Sequence, residues 1–543
     1  MLDSVHEECG IAAVYRMDCC PEGPCRGAEL EGASFGASIL GGDGDAVALL
    51  PDMLIDLQNR GQLAAGISRY SDRDRRIIDT YKDVGSVTDV FHLMYPDPAK
   101  FRKLLRRYAG RAGIGHVRYA TCGRDDPSYA QPLERTHIRK WKWFALCFNG
   151  NVANYSELRQ RILERKDYHL NIDTDTEVLL HHLAYALRGE TKPDFLEVFR
   201  HLAETVDGAY SLAFLDADGD LIVARDPYGF RPLSYAIQGN LFAAASESVA
   251  LANRGFREVR DVEPGELIHV RPEGVRRLRF AESPRRAHCF FEYVYFSNVA
   301  SAINGRSVYV TRKRLGEALA RGETVPADPA DSIAVPVPDT AKAACDAMAY
   351  ALGIPSVEGL MRNRYVGRTF IEGQNRAQRA LRKYTALPEV LGGKRVFLVE
   401  DSIVRATTLR VIVRLVREQG RAREVHVRVA CPPIMAPCSY GIDMSTVSEL
   451  FAPRFVGGPP RGDLTPEELR RLSEELGTTS LRYLTLAELT GAIGIRPEDL
   501  CLGCLTGRYP TRWGGLLYEE ALRQKGRTEE GRTYERLVLP AEP

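Results

Sequence analysis

The segment Lys394–Thr408, KRVFLVEDSIVRATT, runs a hydrophobic strand into two adjacent carboxylates, a short loop with hydroxyl groups and then a helix. Strand resumes in EVHVRVACPP from Glu424, so the order is strand, helix, strand, which predicts a parallel sheet. DSIAVPVPD and AKAACDAMAYALG add an upstream strand and helix in the same rhythm. In the helix after Ala406, Leu409, Ile412, Val413 and Val416 recur at helical spacing, giving one apolar face to lay on the sheet, and Gly420 marks its end. The first half of the chain reads differently. Short strand-like runs, FGASIL, AAGISRY, IGHVRYA, YSLAFLDADGDLIVARD and LFAAASES, alternate with turns, as in layered β-sheet with helices. The change of rhythm falls near residues 282–288.

A chain of 543 residues exceeds the roughly 100–200 of a typical domain, so at least two domains are expected. The 73 Lys and Arg against 72 Asp and Glu leave a formal charge of +1 and no global field for nucleic acid or an anionic membrane. MLDSVHEE lacks a basic start followed by an apolar run, and no apolar stretch of about 18 residues occurs, so a cytoplasmic protein is expected. Twelve cysteines are too sparse for a disulfide scaffold of this length, which leaves some of them to chemistry. Residues 519–538 are rich in charge and read as a peripheral helix or tail.

Cys9 opens a short apolar run in EECGIAAVYR, where a lone cysteine is ordinarily a packed core thiol. Four other fragments change that reading: LQNRGQLAAGI from Leu57, GHVRYATCG from Gly115, FNGNVANYSELR from Phe148 and DTDTEVLL from Asp173. Each joins a turn residue to a fixed polar group, as a pocket for a polar substrate requires. In this order they resemble the glutaminase domain of amidotransferases with an N-terminal nucleophile, an αββα sandwich. The resemblance implies that the Cys9 thiol attacks the glutamine amide. The chain's own α-amine, with a pKa of about 7.7–8.0, is then the base. Cys9 must therefore become the first residue, with residues 1–8 a propeptide. The resemblance further assigns Arg118 to the glutamine α-carboxylate through a bidentate fork, and Asp175 to the α-ammonium. Asn149 and Gly150 are assigned to the oxyanion hole, and Arg60 to ordering the loop over the nucleophile. Phe148 and Asn59 stand where that family usually has histidine.

At the other constellation, Glu400 and Asp401 can bind two ribose hydroxyls while loop amides, threonine hydroxyls and the helix N-terminus receive a 5′-phosphate. The carboxyl end of a strand is where open α/β sheets bind ligands. The segment resembles the binding motif of type I phosphoribosyltransferases, which implies roles for Ser402, Arg405, Ala406, Thr407 and Thr408 beside the acid pair. VPVPDT, with Asp339 and Thr340, resembles the loop that cradles pyrophosphate; Mg²⁺ coordination by Thr340, Glu400 and Asp401 is implied. Residues 359–374 resemble the flexible loop of the glutamine phosphoribosylpyrophosphate amidotransferases, offering Arg364 and Arg368 to a diphosphate. Three residues depart from that family: Glu400 replaces Asp, Ala406 replaces Gly, and Tyr384 stands near a usual lysine. A Cβ at position 406 would cost about 1 kcal/mol if φ is positive there.

CLGC, Cys501 to Cys504, has the paired spacing of a thiolate grip on zinc or an iron–sulfur cluster. Cys289 in HCFFEYVYF and Cys438 in APCSYGID resemble the remaining ligands in the iron–sulfur branch of the family, implying a structural [4Fe–4S] cluster, with zinc as the alternative. Cys19, Cys20 and Cys25 have no assigned function. Taken together, the resemblance implies a propeptide over 1–8, a glutaminase domain over 9–285, a phosphoribosyltransferase domain over 286–515, and a helix or tail over 516–543. The implied reaction moves ammonia from glutamine through an internal channel to phosphoribosyl pyrophosphate. Its product is 5-phosphoribosylamine, the first committed intermediate of purine nucleotide synthesis. Inhibition by purine nucleotides and a homotetramer are implied as well. Two rivals stand beside this: a glutaminase of the same fold feeding another acceptor, and a degenerate paralogue with weak phosphoribosyl transfer.

Overall fold

The computed structural model describes residues 9–18, 45–93, 98–119, 126–166, 169–172, 174–363, 383–444 and 446–524. MLDSVHEE, FGASIL, Cys19, Cys20, Cys25, Arg364 and Arg368 lie outside the described residues, as does the chain after residue 524.

Two antiparallel sheets make the first half. One has seven strands: β1 (Gly10–Arg16), β2 (Ala64–Tyr70), β3 (Ile78–Val84) and β4 (Ala112–Arg118), then β9 (Ser234–Gln238), β10 (Leu241–Ala245) and β11 (Arg260–Asp261). The other has six: β5 (Leu133–Arg135), β6 (Phe144–Val152), β7 (Gly208–Asp216), β8 (Leu221–Arg225), β12 (Glu266–Arg271) and β13 (Gly274–Arg279). Successive strand residues face opposite sides, and the sequence uses this to build four layers. From β1, Ile11, Ala13 and Tyr15 pack between the sheets with Ala145 and Cys147 of β6. Ala12 and Val14 face outward instead, against α1 (Leu50–Asp56). On the far side, Phe144, Leu146 and Phe148 of β6 bury α2 (Tyr155–Glu164), α3 (Asp175–Ala186) and α4 (Phe195–Thr205). The outcome is helix, sheet, sheet, helix.

The second half holds a parallel sheet ordered β15 (Ser332–Pro336), β16 (Arg395–Glu400), β17 (Glu424–Val429) and β18 (Ser480–Tyr483). A short ladder precedes it in sequence, where β14 (His288–Cys289) pairs in parallel with β19 (Leu500–Cys501). Helices α5 (Val308–Arg321) and α6 (Lys342–Leu352) pack together, and α7 (Thr407–Arg414) follows β16 directly. Leu409, Ile412, Val413 and Val416 are all buried, as their spacing predicts. Gly420 ends this helical run in ordinary right-handed geometry, and a Cβ there would lie 2.5 Å from Leu391 and 2.6 Å from the Val416 carbonyl. Its smallness serves packing, not a left-handed cap.

The chain returns to the first sandwich at its end. In α8 (Arg512–Arg523), Trp513 and Leu517 pack on Ala153, and the Trp513 amide donates to Asp207 at 3.0 Å. This helix runs across the boundary expected between residues 515 and 516. Where α5 crosses α6, a Cβ added to Gly316 would overlap the Ala344 carbonyl oxygen. Gly316→Ala is therefore expected to destabilise the fold by about 1–3 kcal/mol, read as a lower denaturation midpoint.

Candidate active site

Cys9 immediately precedes β1, half-buried, with its Sγ 3.8 Å from the Tyr119 carbonyl. Ser246 ties this strand end to the expected oxyanion donor, because its Oγ accepts both the Ile11 amide at 2.9 Å and Asn149 Nδ2 at 3.2 Å. Gly150 follows in β6, where a Cβ would overlap the Ala209 carbonyl; only glycine keeps the strand in register there. Arg118, at the end of β4, is buried and lies over the Tyr129 ring at 5.5 Å. Asp175 opens α3 and accepts the amides of Thr176 at 2.9 Å and Val152 at 3.4 Å, which sets it beside the end of β6. The Phe148 ring packs with the outer helices, so the departure at this position enters the core, not the pocket.

Arg60 has a different setting from a pocket cation. It is completely buried, with Nε 2.6 Å from Glu247 and Nη2 2.6 Å from Glu292. Nη2 also donates to Ser297 Oγ at 3.1 Å. Arg231, equally buried, approaches Glu292 at 3.5 Å and donates to the Tyr440 carbonyl. Burial alone would raise the Glu292 carboxyl, but Arg60 and Arg231 hold it down at about 2. The stem of Arg60 lies against Gly10, where an added Cβ would meet it at 3.3 Å, next to Cys9. Asn59 joins the same network through Glu247 at 2.8 Å and the Phe296 carbonyl at 3.1 Å. Sequence reading missed Ser246, Glu247 and Glu292. Glu292 alone carried a signal: an acid inside the aromatic run FFEYVYF must find a cation if that run is buried.

At the second constellation, Glu400 closes β16 and Asp401 follows it, with Ser402 Oγ donating to Asp401 at 2.7 Å. Burial, reinforced by Asp401, pushes the Glu400 carboxyl well above the usual range. Burial also raises Asp401 to about 6, with Ser402 and Arg312 pulling the other way. A cation or hydroxyl donors at this pair would favour its ionised form, which suits Mg²⁺ carried by a diphosphate substrate. Thr407 and Thr408 form the first turn of α7, its N-terminus open to a phosphate. Asp339, beside half-buried Thr340, meets Arg362 of the short strand Leu360–Arg362 at 2.6 Å. Arg405 turns away from the loop to Glu449 at 2.7 Å. Tyr384, buried, pairs across a short ladder with Arg362. Ala406 takes φ +67° and ψ −3°, the left-handed conformation that favours glycine.

The four cysteines of the third constellation line one cavity. Cys289 and Cys501 are direct partners in the β14–β19 ladder, and Cys438 and Cys504 complete one cavity with Arg231, Tyr440 and Tyr509. None of the four is in a disulfide. Burial, with Cys438 alongside, pushes Cys501 up to about 12, and burial with its neighbouring thiols likewise raises Cys504 well above the usual thiol range. Four thiols around one cavity suit either zinc or an iron–sulfur cluster.

A glutaminase-type sandwich joined to a parallel sheet with a ribose-phosphate loop defines a glutamine amidotransferase carrying its own acceptor domain. The profile of a glutamine amidotransferase domain matches residues 116–253. The amidophosphoribosyltransferase of Methanothermobacter thermautotrophicus is 40% identical, covering 87% of this chain and 93% of that protein. The Bacillus subtilis amidophosphoribosyltransferase is 37% identical over 89% of this chain and 96% of that one. Among solved structures, the B. subtilis phosphoribosylpyrophosphate amidotransferase complexed with ADP and GMP superposes with a TM-score of 0.75 at 33% identity. That match covers 93% of this chain and 98% of that one. The chain belongs to the amidophosphoribosyltransferase family.

Relieving the backbone at position 406 should show directly. The left-handed penalty of about 1–2 kcal/mol for a residue with a Cβ exceeds the roughly 0.4–1 kcal/mol lost through a freer unfolded chain. Ala406→Gly is thus expected to stabilise the protein by about 0.5–1 kcal/mol in equilibrium denaturation.

Proposed function

We propose that Cys9 releases ammonia from glutamine and that this ammonia displaces pyrophosphate at the anomeric carbon of phosphoribosyl pyrophosphate, held at Glu400 and Asp401. The product is 5-phosphoribosylamine, which enters purine nucleotide synthesis. The observation that carries this reading is the placement of both constellations in one chain, joined through the buried network between Arg60, Glu247 and Glu292.

In the first half-reaction Arg118 and Asp175 seat the two ends of the amino acid. Asn149 Nδ2 and the Gly150 amide receive the developing oxyanion. The α-amine of Cys9 acts as base once residues 1–8 are removed. In the second, the acid pair binds the ribose hydroxyls, and the amides opening α7 hold the 5′-phosphate. Arg364 and Arg368 approach the diphosphate. Mg²⁺, held by Glu400, Asp401 and Thr340, would neutralise charge on that diphosphate. A [4Fe–4S] cluster on Cys289, Cys438, Cys501 and Cys504, with zinc as the alternative, would cross-link the start of the second domain to its end. Purine nucleotides as feedback inhibitors, a homotetramer and a cytoplasmic location complete the reading. No helix among the described residues is long and apolar enough to cross a membrane.

Pyrophosphate release driven by glutamine, measured beside an ammonia-driven control, tests the proposal. Cys9→Ser is expected to abolish the first and spare the second, and Asn149→Ala to lower the first by about 10²–10³. Release with neither nitrogen source would overturn the reading, and full activity in protein whose intact mass retains residues 1–8 would remove the α-amine from it. Iron and acid-labile sulfide with visible absorbance are expected; colourless protein with stoichiometric zinc would replace the cluster.

A further inference from the structure

Behind the glutamine pocket, the space between the two sheets holds a cation that the chemistry above does not use. The ladders set Lys82 of β3 opposite Gly66 of β2, Gly66 opposite His116 of β4, and His116 opposite Ile11 of β1. Directly opposed residues share one face of a sheet, so Lys82 and His116 both point into the sandwich, separated by a glycine. A Cβ at Gly66 would lie 2.6 Å from the Lys82 Cβ and 2.5 Å from the Gln131 carbonyl. The missing side chain is the opening through which residues 130–132 reach the sheet.

Lys82 Nζ holds that segment, donating to the Ala130 carbonyl at 2.6 Å and the Pro132 carbonyl at 3.2 Å. Gln131, between them, accepts the Phe148 amide on its side-chain oxygen at 2.7 Å and donates Nε2 to Thr176 at 3.2 Å. His116 completes the row. Burial draws its pKa down to about 3, so the ring is neutral and donates Nε2–H to the Phe148 carbonyl at 3.2 Å. Both side-chain clamps on the Phe148 backbone therefore lie one residue before Asn149. The same segment begins with the turn Pro127–Tyr129, whose tyrosine ring lies under Arg118. Burial also draws the Lys82 ammonium down to about 8, a cost the fold accepts at this position.

We propose that Lys82 is a positioning residue of the glutaminase half-reaction: by gripping the Ala130 and Pro132 carbonyls it sets Gln131, and through it the oxyanion strand, in register with Arg118. This rests on the reading of Cys9 as the nucleophile. The competing role is structural, since β3 is an edge strand and an inward-pointing lysine discourages edge-to-edge pairing.

The full-length chain with Lys82→Met separates the two. Loss of two charge-assisted hydrogen bonds is expected to raise the KM for glutamine about tenfold or more. Inactivation by 6-diazo-5-oxo-L-norleucine, which must seat its α-carboxylate, should slow by a similar factor. Alkylation of Cys9 by iodoacetamide and ammonia-dependent pyrophosphate release should stay at the parent rates. Lys82→Arg, which keeps donors for both carbonyls, should recover most of the KM. An unchanged KM with an unchanged diazo-oxonorleucine rate overturns the proposal, as does a parallel loss of ammonia-dependent turnover. Failure of either reagent to label Cys9 in the parent protein overturns the nucleophile reading instead.

Discussion

Four charges buried from water hold this molecule's two halves in one arrangement. Arg60 and Arg231 face Glu247 and Glu292, two guanidiniums against two carboxylates, all nearly inaccessible. Each charge is tolerable only because its partners are present; removing one of such a set typically costs about 3–5 kcal/mol, since the survivor stays buried and uncompensated. Glu247 spreads its acceptor capacity further, to the Asn298 amide at 2.7 Å and Ser301 Oγ at 2.8 Å. The network therefore joins the strand carrying the nucleophile to the first turn of the second core. That places it between two chemistries that must share an intermediate.

The fold was legible where burial alone decides it. Both strands and the helix around Lys394–Thr408 formed as patterned, because runs such as VFLV have no other place than a sheet covered on both faces. The four-layer sandwich follows from alternation in β1 and β6 once each face is given an apolar partner. What the sequence could not convey was partnership across distance. Arg60 read as a loop-ordering cation, but its acids lie 187 and 232 residues away. Ser246, which bridges the nucleophile's strand to Asn149, is an ordinary serine in an ordinary run until the ladders are known. Composition marked the charged tail, but not the helix begun at Arg512 and anchored by Trp513, which depends on a partner far back in the chain.

The two candidate prosthetic sites illustrate opposite uses of burial. At Glu400 and Asp401, burial disfavours ionisation of two adjacent carboxyls, and a bound cation would offset that cost. At the cysteine quartet, burial likewise disfavours the thiolates, and a metal centre placed there would favour the deprotonated form.

The returning helix has a kinematic consequence. The chain leaves the sandwich after β13, builds the second core, then comes back to seat Trp513 against Ala153. Two bodies joined by one covalent crossing can swing as on a hinge; a second, packed attachment well away from the first removes that freedom. Any rearrangement during a catalytic cycle then falls to loops and side chains, while the two cores keep their relative placement.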